Sequence, residues 1–465
     1  MTVPTASGPA ARPGATHDFL GHPRGLAVLF ATEAWERFSY FGNAALVVLY
    51  MTKYLFDAGR PESVLGLGPV RAALELLFGR LDAQPLASQL FGFYTGLAYF
   101  TPILGGLIAD RLLGRRRTIV IGGLFMAAGH FMMAFEALFL LALLMLIIGI
   151  GAFKPNISTQ VGTLYAPGDA RRDRAYAIFY LGINVGAFAA PLICGTLAVQ
   201  YGWHYGFAAA GVGMLISLAI YLCGTRTLPA DVPARSAPIA REKKRLDAAE
   251  RRAVLALIGT CALVTLFWAA YDQQSNTVLL WAEDFTDRSI DLGFWHGQIP
   301  SPSFLALNPF MIFVATPLLV GLWARQGRRG TEPFPISKMA FGCLCVALAN
   351  LVMAGAAAWS ATGKASALWL VGYFILATIG ELHLAPVGLA LISKLAPARM
   401  TSIMMGVWFA TTLPADILAG FLGGYWSRMG KDSFFLMIAL IAALAGVTLW
   451  GMSYFVQRLG VSSHS

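Results

Sequence analysis

Twelve apolar segments of membrane-spanning length follow one another along the chain, near residues 25–52, 88–109, 118–138, 139–165, 175–200, 204–223, 253–283, 304–323, 336–357, 366–392, 401–425 and 433–456. Each covers a ~30 Å hydrocarbon core at ~1.5 Å of helical rise per residue. Backbone groups in lipid must find partners inside their own segment, so these runs are expected to be helices. Composition agrees: 57% of the 465 residues are hydrophobic and 12% charged, half the ~25% charged share of an ordinary soluble domain. The expected fold class is an all-α membrane protein with twelve transmembrane helices. The five cysteines, Cys194, Cys223, Cys261, Cys343 and Cys345, fall in apolar runs without Cys-x-x-Cys spacing. They read as small core residues, with no disulfide frame or metal site. Residues 1–24 carry no apolar stretch of signal-peptide type, so the first span is expected to act as an uncleaved signal.

The formal charge of +10 is explained by where the charges sit. With the N-terminus inside, the cytoplasmic segments hold 24 of the 34 Lys and Arg residues, the outer loops hold 8, and Arg37 and Lys154 lie within spans. This satisfies the positive-inside rule with both termini cytoplasmic, and it requires no nucleic-acid partner. The longest polar stretch, 224–252, separates a six-helix bundle at 25–223 from another at 253–457, with cytoplasmic tails at 1–24 and 458–465. Its run Arg241, Lys243, Lys244, Arg245 has Glu242 and Asp247 as acidic neighbours. The run reads as a solvated linker helix, with binding of anionic lipid or a partner as the alternative. In the first outer loop, Val70–Leu81 has the pattern of an amphipathic helix lying on the bilayer.

An internal repeat supports the two halves. Thr101-Pro-Ile-Leu-Gly-Gly-Leu-Ile-Ala-Asp110 recurs as Thr316-Pro-Leu-Leu-Val-Gly-Leu-Trp-Ala-Arg325, at the ends of the second and eighth spans, and Gly-Arg-Arg follows each copy. Two six-span halves with nested three-span repeats resemble a secondary transporter of the major facilitator superfamily, whose substrate site lies near the membrane midplane. The run Gly105-Gly106…Asp110-Arg111…Gly114-Arg115-Arg116 also resembles that superfamily's signature between spans two and three.

Ionisable side chains at mid-bilayer cost at least ~2.5–3.5 kcal/mol unless they are paired or face water. Those placed deepest are Glu33, Glu36 and Arg37 in span one, Lys154 in span four, Asp272 in span seven and Glu381 in span ten. These spans open the four three-helix repeats, and in a major facilitator fold such helices line the central cavity. Glu33, Glu36, Arg37 and Tyr40 follow i, i+3, i+4, i+7 spacing and share one helical face. Four carboxylates against two cations in a mostly dry cavity cannot all stay ionised. Carboxylates that take up and release protons as cations move nearby are the physical requirement for proton coupling. A static set of ion pairs fixing helix packing is the alternative, although small residues serve packing more cheaply. Glu136 and Glu283 lie near span ends. Asp416 in span eleven is left as either a cavity or a packing residue. His383, about 200° round the helix from Glu381 at ~100° per residue, is expected to face another helix or lipid headgroups, with a proton-relay role as the alternative.

Several of these residues carry a closer likeness. Glu33-Ala-Trp-Glu36-Arg37-Phe38-Ser-Tyr40-Phe41-Gly42 resembles the E-x-x-E-R-F-x-Y-Y-G signature of the proton-dependent oligopeptide transporters, the POT or PTR2 family. Gly105-Gly106-Leu-Ile-Ala-Asp110, Lys154-Pro155-Asn156, Phe179-Tyr180-Leu-Gly-Ile183-Asn184-Val-Gly186 and Gly380-Glu381-Leu-His-Leu-Ala-Pro386-Val-Gly388-Leu resemble its motifs in spans two, four, five and ten. Asp272-Gln273-Gln274, Asn308-Pro309 and Met405-Gly406-Val-Trp408 are weaker echoes.

The resemblance implies a proton-coupled symporter that imports di- and tripeptides across the cytoplasmic membrane by alternating access. It would be a monomer without obligate protein partner or cofactor, with H+ as the coupling ion. Arg37 and Lys154 would hold the peptide carboxylate, for which a forked guanidinium and an ammonium are suited. Glu381 would meet the α-ammonium, Asn184 and Asn308 would supply amide contacts, and Tyr40, Tyr99 and Trp408 would wall the side-chain pockets. Glu33, Glu36, Arg37 and Glu381 would carry the coupling, and Asp272 is a gate or ion-pair candidate. Phe41 and Ala385 depart from the family's Tyr and Ser, and the 224–252 linker is too short for the two extra helices of many bacterial members. Nitrate or another small solute is the alternative cargo, and a non-transporting nutrient sensor the alternative role. An enzyme is not supported, because no nucleophile–base set, metal-spaced His/Cys set or phosphate loop is found.

Overall fold

The computed structural model describes residues 19–56, 63–166, 168–229, 247–291, 296–360, 363–397 and 400–458. The charged run Arg241–Arg245 and most of both tails lie outside the described residues. The spans are Arg24–Tyr50, Ala83–Leu113, Arg115–Met132, Phe139–Thr163, Arg171–Tyr201 and Trp203–Gly224 in the first half. Those of the second half are Ala248–Asp284 in three pieces, Leu307–Arg328, Pro335–Trp359, Leu368–Leu395, Thr401–Gly423 in two pieces, and Lys431–Arg458. Among the described residues, 10 helical stretches are long and apolar enough to cross a membrane. The two remaining spans are the first, interrupted by Glu33, Glu36 and Arg37, and the third, which opens on Arg115, Arg116 and Arg117.

Local chemistry explains where the helices begin and bend. The seventh span starts at Ala248, five residues before the apolar run, because Asp247 and Glu250 form a capping box. The second span breaks at Thr101 and restarts on Pro102, with the Thr101 hydroxyl donating to Leu97 O and lying 3.0 Å from Ile147 O of the fourth span. The repeated copy behaves differently: Pro317 lies inside a continuous helix, and the buried Thr316 hydroxyl has no hydrogen-bond partner among the described residues. Gly114 closes the turn after the second span at φ +78°, which favours glycine. Arg116 then donates to the carbonyls of Thr225, Leu228 and Pro229, tying the end of the sixth span to the third.

The extramembrane helix runs Leu67–Phe78 and stops at Gly79, φ +75°, so Leu81 lies beyond it. Arg71 pairs with Glu75 at 3.0 Å, and Glu75 also accepts the Leu81 N–H at 3.1 Å. These donors, the backbone N–H foremost, hold the Glu75 carboxyl below its ordinary range. Two small strand pairings went unread in the sequence. A hairpin joins Ser289–Asp291 to His296–Gln298, and Thr286–Asp287 runs parallel to Ala365–Ser366. Strands of two or three residues are too short to imprint a period-two pattern.

Packing divides the helices into two groups of six. The first span packs on the fifth and sixth, and the third on the fourth; the ninth packs on the tenth and twelfth. Between the halves, the second span meets the eleventh, and the fifth meets the segment before the eighth. These contacts gather at the face away from Arg24 and Arg458, here called the far face. There the Ser88 hydroxyl donates to Asn276 at 2.8 Å, Gln84 to Gly423 O at 3.0 Å, and Lys53 pairs with Asp284 at 2.6 Å. The second and eleventh spans approach with glycine backbone on both sides. A Cβ on Gly420 would lie 2.7 Å from Ser88 O and 3.3 Å from Gly92 Cα. Small residues at such a crossing replace side-chain interlocking by backbone contact.

Candidate functional site

Lys154, Asp272, Trp408 and Asp416 line a cavity of about 600 Å³ between the halves. The second span adds Tyr99, Pro102 and Ile103, the fourth Pro155 and Ser158, the seventh Trp268, the tenth Ala385 and Leu389, and the eleventh Phe409 and Thr412. Asp272 and Asp416 lie nearest the far face, and Ser158 and Leu389 nearest the opposite, terminal face. The cavity is thus closed above the aspartates by the glycine crossing.

The fourth span presents Lys154 through its Lys-Pro-Asn run. Pro155 lacks an N–H and weakens the helix there. The buried Asn156 amide beside it donates to Ala152 O at 2.7 Å. The Lys154 ammonium lies 3.8 Å from the centre of the Tyr99 ring, and among the described residues no carboxylate lies within 4.0 Å of it. A cation held only by an aromatic face keeps its donors for a ligand.

The first span departs from the expectation that it lines the cavity. Glu33, Glu36 and Arg37 are all buried, and none is a lining residue. Arg37 is engaged within its own helix: its Nε lies 2.5 Å from Glu36 Oε2 and 3.2 Å from Glu33 Oε1, and Nη2 donates to Glu36 Oε1 at 2.7 Å. The second oxygen of Glu33, also buried, has no hydrogen-bond partner among the described residues. Three contacts connect this cluster to the cavity. Arg37 lies 5.3 Å from the Tyr40 ring, the Tyr40 and Tyr99 rings meet edge-on with centroids 6.3 Å apart, and Tyr99 stands beneath Lys154.

Glycine in the fifth-span motif makes room for this cluster. A Cβ on Gly186 would collide with Ala34 O, and would lie 2.8 Å from Phe38 N and 2.9 Å from Arg37 Cβ. Gly186→Ala is therefore expected to lower stability by about 1–3 kcal/mol through overpacking. Thermal unfolding of the detergent-solubilised protein measures this, and an unshifted transition would mean that the first span yields without cost.

Glu381 is held from one side. Its Oε2 accepts from Tyr271 Oη at 2.6 Å and from Asn308 Nδ2 at 2.9 Å, and Asn308 also reaches the Thr378 hydroxyl. Asn184 is buried and donates to Tyr180 O within its own helix. Gly388 clears space for Trp408, whose ring a Cβ there would strike. Ala385 lies on the cavity wall, and Phe41 packs edge-on against Tyr40 at 5.2 Å. His383 does face other helices, lying edge-on to Trp323 and Phe341. Asp416, open from the sequence, is a cavity residue that also touches the glycine crossing. Trp268 and Tyr271 were missed. Trp268 precedes Asp272 by four residues, so helical spacing from a known membrane charge was the available signal.

Comparison with known proteins gives this arrangement a family. The sequence profile of the POT family matches residues 116–247 and 230–431. The chain is 32% identical to "Peptide transporter YePEPT" of Yersinia enterocolitica, over 88% of each chain. It is also 32% identical to "Di-/tripeptide transporter" of Lactococcus lactis subsp. lactis, over 93% of this chain and 95% of the relative. A crystal structure of the peptide transporter POT in complex with sulfate superposes with a TM-score of 0.83 at 29% identity, covering 96% of this chain and 97% of that one. A POT family transporter in complex with 5-aminolevulinic acid gives 0.82 at 26% identity, covering 94% and 98%. The sequence signatures, the two six-helix halves and these likenesses agree: the chain belongs to the POT family, a family of membrane transporters rather than enzymes.

Proposed function

We propose that the protein is a proton-coupled symporter that imports di- and tripeptides across the cytoplasmic membrane by alternating access, with both termini cytoplasmic and the protein acting as a monomer. The carrying observation is the distribution of charge in one cavity: a cation without a carboxylate partner on one wall, and the carboxyl groups of Asp272 and Asp416 on another. A peptide of any sequence has a carboxylate at one end and an ammonium at the other, so fixed poles of opposite kind recognise what all peptides share. About 600 Å³ is also within the ~300–1,000 Å³ of small-molecule sites. Trp268, Trp408 and Tyr99 add broad apolar faces that tolerate varied side chains.

In this reading Lys154 takes the peptide carboxylate directly, and Arg37 acts from behind it through Tyr40 and Tyr99. Asp272 and Asp416 offer the α-ammonium its pole on the cavity wall, and Glu381, which does not line the cavity and is held through Oε2 by Tyr271 and Asn308, supports that pole from the tenth span. Asn184, expected from the family resemblance to supply an amide contact, donates to Tyr180 O within its own helix, and Tyr40 and Trp408 shape the side-chain pockets. Glu33 and Glu36 carry protons, for which the partnerless Glu33 oxygen provides a place. Closure at the far face with a cavity toward the terminal face corresponds to an inward-facing state.

Reconstitution in liposomes under an inward proton gradient tests the reading. Wild-type protein is expected to accumulate members of a di- and tripeptide panel, and labelled dipeptide uptake should resist competition by nitrate. Glu33→Gln and Glu36→Gln should each impair gradient-driven uptake more than peptide counterflow. Absence of accumulation for the whole panel by folded protein would reject the function. Full gradient-driven uptake by both variants would reject the proton assignment alone.

A further inference from the structure

A second cavity, of about 540 Å³, lies against the last turns of the fourth span, on the terminal-face side of the first. Ser158, Thr159 and Gly162 of that span line it, with Arg115 from the start of the third span and Arg172 and Tyr176 from the start of the fifth. Ser158 lines both cavities, so they are neighbours along one helix. Ser158 and Gly162 follow Lys154 by four and eight residues. At ~1.5 Å of rise per residue they stand about 6 and 12 Å nearer the terminal face.

The donors of this cavity are cationic. Arg172 is exposed, and among the described residues no carboxylate lies within 4.0 Å of it. Its neighbour Arg171 is the one that pairs with Asp169, at 2.9 Å. Arg115 meets Asp110 at 3.6 Å, longer than a charge-assisted hydrogen bond. The Ser158 and Thr159 hydroxyls already donate to Lys154 O and Pro155 O of their own helix. Glycine at position 162 admits the arginine: a Cβ there would lie 2.7 Å from Tyr176 Oη and 2.9 Å from Arg172 Nη2. A guanidinium fork and a phenol hydroxyl thus meet over bare helix backbone, with a second guanidinium on the same wall. Such a set of donors suits the oxygens of a carboxylate or phosphate.

We propose that this cavity is a second carboxylate subsite, occupied by a peptide on its way out to the terminal face, with Arg172 as its principal ligand and Tyr176 and Arg115 beside it. The direction follows from the first cavity. Its aspartates lie nearest the far face and Ser158 nearest the terminal face, so a peptide held between them and Lys154 leaves carboxylate first. An extended tripeptide spans at most ~11 Å. Once its carboxylate reaches the level of Gly162, its ammonium has left the aspartates. The subsite is therefore a hand-off point and not an extension of the first pose. It divides departure into two shorter steps, in which the carboxylate exchanges one cation for another and no covalent bond changes. This inference rests on the symporter reading above. Inorganic phosphate and a lipid phosphate share the same oxyanion chemistry, and the test separates them.

The test is the KM of a labelled dipeptide, measured from each face of oriented proteoliposomes made of zwitterionic lipid. Arg172→Gln should raise KM at the terminal face by about two- to fivefold, the range of an exposed ion pair, with no rise at the far face. Arg172→Lys should recover part of the loss, and the KM of the dipeptide's C-terminal amide should not move. Inorganic phosphate at the terminal face should raise KM for the wild-type protein but not for Arg172→Gln. Gly162→Ala retains every charge and fills the cradle with one methyl group, so it should shift the terminal-face KM in the same direction. A wild-type terminal-face KM in folded Arg172→Gln would overturn the proposal. An equal rise at both faces, or for acid and amide alike, would do the same. A shift that arises only when anionic phospholipid is added would overturn it by assigning the pocket to a lipid headgroup. In each of these cases the symporter reading stands, whereas failure of the wild-type protein to transport any peptide would remove both.

Discussion

Lys154→Gln should weaken dipeptide binding by roughly 10- to 150-fold. The estimate follows from the ~1.5–3 kcal/mol of a hydrogen bond to a charged group, at ~1.4 kcal/mol per factor of ten. The ammonium stands over the Tyr99 ring with no carboxylate within 4.0 Å among the described residues, so a ligand carboxylate displaces no ion pair to reach it. Binding isotherms for a dipeptide and its C-terminal amide separate this role from general damage. The wild-type protein should prefer the free carboxylate, Lys154→Arg should retain part of that preference, and Lys154→Gln should lose it. A Gln variant that still discriminates against the amide would place the carboxylate pole elsewhere.

The second large effect concerns Arg37. Its guanidinium offsets Glu33 and Glu36 in a region where the side chains are at most 3% exposed. Removing one partner of such a buried set leaves charge without compensation and costs about 3–5 kcal/mol. Arg37→Ala should therefore melt well below the wild-type protein and lose uptake. Adding Glu33→Gln and Glu36→Gln should restore much of the stability without restoring transport, because the carboxyl groups proposed above to carry protons are gone. Arg37→Lys is informative for a different reason: an ammonium cannot reproduce the fork that engages both oxygens of Glu36. Thermal unfolding and gradient-driven uptake measure the two consequences separately. An Arg37→Ala protein with wild-type melting would show that the cluster relaxes by protonation alone.

Much of the site was legible because lipid makes charge conspicuous. Glu33, Arg37, Lys154, Asp272 and Glu381 stand out against apolar surroundings, and Lys154 and Glu381 lie equally far into their spans. What each one touches was not legible, since that depends on approach between helices distant in the chain. Arg37 follows Glu36 directly, and spacing alone does not reveal that the guanidinium folds back on its own helix. Glu381 shares a hydrogen-bond network with Tyr271 and Asn308, residues 110 and 73 positions away. Asp416 was ambiguous from the eleventh span alone, because only the packing of that span on the second places it at the cavity and the glycine crossing. The fold was easier to read than its irregularities: hydrophobic length gives spans, whereas the breaks at Thr101 and at Asp272 depend on neighbouring acceptors and prolines.

The glycine crossing between the second and eleventh spans has a mechanical consequence. Surfaces joined by interlocked side chains must unthread before they part, which makes opening slow and abrupt. Gly92, Gly96 and Gly420 instead present nearly smooth backbone, so the helices can roll or slide with little friction. The far side is thus held by short-range backbone contact together with a few polar ties, Ser88 to Asn276, Gln84 to Gly423 O and Lys53 to Asp284 among them.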